Sequence, residues 1–272
     1  MRKHLIIGCF ALLTLFLLVA VDKGQQRAQP QTRTQQDPIP LPAKTGRPAP
    51  RRDISGVWLG RVAFQAEPAP PLTKLGQQLF DAARPLNGSR AVAVADSNDP
   101  MVTCDPLGFP RSIFFELRAF EFEEIKTKMI QLLQYQRIWR EIWTDGRKLP
   151  TNVGAEGDSP DPRYYGYSIG RWADDYTFVV ESTGFNENSW ADQQAHPRSV
   201  NAHIEERYHR IDYDTMEITL TIDDPKMYTK PWLGLKQMVY WHPKQEFEEQ
   251  LCVPSDALEY LSTVKPAAKE KK

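Results

Sequence analysis

The strongest constraint on the fold of this chain is a series of strand-length segments with two-residue alternation, separated by turn residues. Residues 137–144 (RIWREIWT) show it best. Arg137, Trp139, Glu141 and Trp143 fall on one face, Ile138, Arg140 and Ile142 on the other. Comparable segments lie at 57–64, 113–124, 128–136, 164–172, 176–182, 203–212, 216–223, 235–241 and 246–253. One good helix interrupts them, at 74–83, with Leu75, Leu79, Phe80 and Ala83 at helical spacing. About ten strands with one short helix near the start predict an all-β, mainly antiparallel domain: a lipocalin-like barrel or, alternatively, a sandwich. Parallel α/β architecture is disfavoured because crossover helices are missing. Asp145-Gly146 is the strongest short turn signal and predicts a hairpin there, with Gly146 at positive φ.

The ends of the chain have a different character. Arg2, Lys3 and His4 precede an uncharged apolar run at 5–21, so residues 1–22 read as a signal peptide or signal anchor. Residues 23–52, rich in Gln, Pro, Arg and Thr, read as a disordered linker. The folded domain is expected over 53–262, followed by a disordered Lys-rich tail over 263–272. The protein is thus expected to be periplasmic or secreted, touching a membrane only through its N-terminal segment if that is kept. The formal net charge of −1 offers no global attraction to nucleic acid, which is excluded as a partner. Outside the leader only Cys104 and Cys252 remain, and an exported pair in an oxidising compartment is expected to be bridged.

The ordered blocks DISGVW, CDPLGFPR, EIWTDGR, YYGYSIGRW, DDYTFVVESTGFN, EERYHR and TIDDPKMYTKPW resemble a group of exported bacterial proteins, β-rich and lipocalin-like. The resemblance spans nearly everything from Asp53 to Cys252. It implies an exported barrel that handles a small molecule and names no reaction. The pattern of that group places a Gly and a His around the proline before EERYHR, where this chain has Ala195 and Arg198.

Three constellations bear on chemistry. Gly166-Tyr167-Ser168-Ile169-Gly170 matches the G-x-S-x-G elbow of serine hydrolases, an alternative function. The following Arg171-Trp172-Ala173-Asp174-Asp175 reads as a turn between strands, without the helix an elbow needs, which makes Ser168 a strand residue. His203, Glu205 and His209 share a strand face, but Arg207 stands among them and opposes a cation, so no metal and no cofactor is expected. On the other face, Glu206, Tyr208 and Arg210 point into a barrel lumen or form a buried structural pair.

The expected site is therefore the barrel mouth. Glu206 is the candidate proton acceptor, Arg210 the cation beside it, and His196 an acid supplied by the long loop at 186–201. Tyr167, Tyr208, Trp190 and Trp172 are the candidate contacts to a small apolar or aromatic molecule. Such a protein binds its ligand in the lumen, with cofactor-independent lyase or hydratase chemistry as an extension; a plain carrier is the simpler alternative. On this reading, Glu206→Gln abolishes turnover and leaves folding intact.

Overall fold

The computed structural model describes residues 41–60, 66–114 and 118–269. The expected export segment, and the linker as far as residue 40, lie outside them. Nine strands close into a barrel in chain order: β1 (Gly56–Gly60), β2 (Phe120–Ile125), β3 (Lys128–Leu133), β4 (Ile138–Trp143), β5 (Tyr167–Trp172), β6 (Thr177–Thr183), β7 (His203–Arg210), β8 (Thr215–Asp223) and β9 (Trp232–Trp241). β9 pairs with β1 to close the circle. Every pairing is antiparallel except β4 with β5, which is parallel and registers only Ile142 with Ser168 and Trp143 with Ile169.

The alternation of the sequence decides what fills the barrel. Trp58, Phe120, Phe122, Met129, Ile142 and Phe178 are buried inward-facing side chains, and β7 and β8 add Ile204, Tyr208, Met216, Ile218, Leu220 and Ile222. The Trp58 indole is fully buried and donates Nε1–H to the Ile54 carbonyl at 2.9 Å. Gly56, with φ +104°, allows the Trp241 indole to lie where a Cβ would be only 2.7 Å from its Nε1. This interior is a packed core rather than an open lumen.

Among the described residues three α-helices accompany the barrel. α1 (Lys74–Ala82) is capped by Thr73, whose hydroxyl accepts from the Gly76 amide at 3.1 Å. Leu75 and Leu79, two of the apolar positions at helical spacing, are exposed, and Gly76 is the buried residue of the helix. α2 (Arg111–Phe114) is a single turn, and α3 (Pro254–Lys269) follows Cys252. No helix among the described residues is long and apolar enough to cross a membrane.

The nine strands accord with the expected barrel of about ten. Other expectations are corrected. Residues 246–253 form no strand; among the described residues Gln250 joins them to the sheet side of the barrel, through an isolated bridge to Tyr135 and a side chain that accepts from Arg118. Ile113 belongs to α2, because Arg111 is held in a buried two-pronged pair with Asp99, at 2.8 and 2.7 Å, and folds that stretch into a turn. α3 extends into the stretch read as a disordered tail. Residues 41–52, read as linker, form no helix or strand but touch the barrel: the Thr45 hydroxyl donates to Asp214 at 2.7 Å, and Arg47 stacks on Tyr213 at 3.3 Å.

Gly146 has the expected positive φ, +81°, yet Asp145-Gly146 closes no hairpin. The turn opens the connection at 144–166, which carries the chain to a strand running the same way as β4. A parallel neighbour cannot be reached by a two-residue turn.

The predicted bridge between Cys104 and Cys252 is present, with a sequence separation of 148. Such a bond points to an oxidising, non-cytosolic compartment.

Candidate functional site

Three strands each carry a polar residue in the middle of the inward face: Gln131 on β3, Arg140 on β4 and Glu206 on β7. The barrel brings them together. Arg140 Nη2 donates to Glu206 Oε1 at 2.6 Å and Nη1 to Glu206 Oε2 at 3.0 Å. Nη1 also donates to Gln131 Oε1 at 2.8 Å, while Nη2 reaches the hydroxyls of Ser168 at 3.1 Å and Ser182 at 2.9 Å. Tyr208 donates its phenol to Glu206 Oε2 at 2.5 Å. Arg140 lies over the Phe109 ring at 3.8 Å.

All of these groups are buried. Burial by itself pulls the Arg140 guanidinium down, but the Glu206 carboxylate outweighs it and the net direction is up, so the guanidinium stays charged. Burial, with Glu206 next, raises the Tyr208 phenol well above its usual value and keeps it a donor. Both carboxylate oxygens of Glu206 thus already accept from fixed donors, one on Oε1 and two on Oε2, so the group is held in a structural network.

The candidate residues separate into distinct places. Glu206 and Tyr208 meet inside the barrel. Arg210, four residues along the same strand face, is about 13 Å from Glu206 and belongs to the barrel end, donating to the carbonyls of Asp53 at 2.8 Å and Tyr213 at 2.7 Å. The cation beside Glu206 is therefore Arg140. Trp172 packs against Phe178 at 5.2 Å, and Trp190 lies under Arg111 at 5.2 Å. His196 shares a 2.7 Å contact with Asp192 and sits between Phe80 at 5.0 Å and Trp232 at 5.3 Å. Its neighbours come from α1, β9 and its own loop, and no contact joins it to Glu206.

Ser168 lies on a regular strand that continues to Trp172, and its hydroxyl partners are Arg140 and Ser182 rather than a histidine. That is not the geometry of a nucleophile elbow. His203 and His209 point outward, to Glu181 at 3.4 Å and Thr177 at 2.9 Å. Among the described residues no group of three or more His, Cys, Asp or Glu is placed to hold a metal ion.

A second feature adjoins the network. Because β4 and β5 pair only at Ile142–Trp143, the wall opens beside the first half of β4. The chain before β5 turns away there, with Arg163 bridging to Phe185 instead. The gap is a cleft of about 820 Å³. Trp139, Trp143, Tyr164, Tyr165 and Tyr167 wall it, Leu149, Pro150 and Pro160 come from the 144–166 connection, and Arg140 and Ser168 of the polar network also line it. Burial raises the Tyr165 phenol far above its ordinary value, leaving it neutral. Of the candidate ligand contacts only Tyr167 lies here.

Sequence reasoning missed Arg140, Gln131 and Ser182, though a signal existed: a charged or amide side chain between Ile138 and Ile142, or between Met129 and Leu133, must find a partner once its face is buried. The connection residues of the cleft carried no such signal.

Arg198 is a further buried cation, donating Nη2 to Ser189 Oγ at 2.7 Å and to the Asn186 carbonyl at 3.1 Å. Its Nε and Nη1 have no partner among the described residues. Burial lowers its pKa to about 9. Below that value the folded and unfolded chains both hold the proton. Between it and the ordinary guanidinium value the unfolded chain holds more, so stability from this residue rises with pH. Compared with Arg198→Gln, the wild type is expected to gain unfolding free energy between about pH 8 and about pH 10, measured by urea denaturation. A pH-independent difference would contradict the assignment.

Comparison with protein-family models, with curated proteins and with solved structures found no match.

Proposed function

We propose that this is an exported, periplasmic or secreted barrel protein that binds a small aromatic molecule in the cleft between β4 and β5, as a carrier rather than an enzyme. The observation that carries the reading is the cleft itself: its volume is that of a small-molecule site, and five aromatic side chains, Trp139, Trp143, Tyr164, Tyr165 and Tyr167, stand in its walls. Support for the compartment comes from the Cys104–Cys252 bond, the leader-like first residues and the resemblance to exported lipocalin-like proteins. The lumen offers a ligand less, because it is filled by core side chains and by the closed Arg140–Glu206 network. That network favours binding over acid–base chemistry, since the carboxylate holds its donors without any substrate.

Isothermal titration with bicyclic aromatic molecules, neutral and charged, should give saturable binding for at least one of them. Trp139 is 65% exposed, so Trp139→Ala should leave thermal unfolding unchanged while weakening that binding by about 1–2 kcal/mol. Absence of saturable binding across the panel, or undiminished affinity in the variant, would reject the cleft as the site.

A further inference from the structure

Resting on the cleft as the binding site, we infer that its ligand is an aromatic acid, a planar ring system carrying a carboxylate. Four cations line the cleft, Arg140, Arg147, Lys148 and Arg163, against one carboxylate, Glu141. Most of these charges are already matched. Arg140 holds Glu206, Arg147 holds Asp145 at 2.7 Å, and Glu141 is paired with Lys128. Lys148 and Arg163 have no carboxylate partner among the described residues, and both belong to the exposed surface at the cleft. Arg163 is also held in place, its guanidinium stacked on the Tyr167 ring at 4.1 Å.

The cleft thus combines aromatic walls with two uncompensated cations. The ring of an aromatic acid would pack between Trp139, Trp143 and Tyr165, and its carboxylate would face Arg163 and Lys148, where a guanidinium offers two parallel N–H donors. The inner end is unsuited to the negative charge. Arg140 there is already neutralised by Glu206, so a second carboxylate would meet repulsion. The cleft orients such a molecule with its charge outward.

The test titrates the whole protein with 2-naphthoate and with its uncharged analogue 2-naphthylmethanol, in the wild type, in Arg163→Gln/Lys148→Gln, and in Lys148→Glu, which keeps Arg163 on Tyr167. Wild type should prefer the acid by about tenfold at low salt, and the preference should shrink several-fold when ionic strength rises to about 0.5 M. The double variant should lose the preference while holding the alcohol as before, and Lys148→Glu should weaken the acid alone. Equal affinity for both probes in the wild type, or a preference that survives the double variant, would overturn the acid assignment and leave aromatic binding in the cleft standing. Failure of both probes to bind would remove the cleft reading, and the acid with it.

Discussion

Replacing Glu206 by glutamine is expected to destabilise the fold by about 3–5 kcal/mol, the usual penalty for removing one partner of a buried ion pair. The amide cannot neutralise Arg140, which is 3% exposed and stays charged in the middle of the barrel. It also weakens the acceptor that Tyr208 uses at 2.5 Å. Gln131, Ser168 and Ser182 remain as neutral partners of the guanidinium and do not supply the lost charge. The double replacement Arg140→Leu/Glu206→Leu should cost less than the sum of the two single ones, because it removes the uncompensated charge together with its partner. Urea denaturation of the wild type, Glu206→Gln, the two single Leu variants and their double measures both quantities. A wild-type unfolding midpoint in Glu206→Gln would show that the carboxylate does not hold the barrel together. Wild-type stability with loss of a turnover would restore the catalytic role that the sequence suggested for Glu206.

Loss of the disulfide should be comparably severe. The bond joins residues 148 apart, and on the chain-entropy account a closed loop of that length restricts the unfolded chain by about 5 kcal/mol. It ties the loop at 99–111 to the segment just before α3. That segment has little other hold on the barrel, since residues 246–253 add no strand and bridge to the sheet only at Gln250. In Cys104→Ser/Cys252→Ser the denaturation midpoint should therefore fall sharply, and reducing agent should lower it in the wild type but not in the variant. An unchanged midpoint in the variant would mean that the barrel closes without the bond.

The two predictions concern residues that differed in how well the sequence exposed them. The cysteine pairing followed from counting, because only two cysteines lie outside the leader. The inward face of β7 was equally readable: Ile204, Glu206, Tyr208 and Arg210 alternate with outward neighbours, and all four are buried. Which cation would face Glu206 was not readable. Arg210 shares its strand, but residues four apart on a strand are held about 13 Å apart by the backbone, whereas Arg140, 66 residues away in sequence, comes within 2.6 Å across the barrel.

The sequence by itself determined the elements and their faces. Period-two alternation makes one side of each strand apolar, and burying that side closes the sheet on itself. It determined the positive φ of Gly146 for a local reason, the turn chemistry of Asp145-Gly146. Only the tertiary structure decided the direction of β5. Turn chemistry at Asp145-Gly146 describes a few residues, while the parallel pairing of Ile142 with Ser168 depends on where the whole 144–166 connection leads. That single parallel seam opens the cleft, and no local pattern marks Trp139, Lys148 and Arg163 as neighbours. Their proximity comes from chain closure over long separations, which side-chain periodicity does not encode.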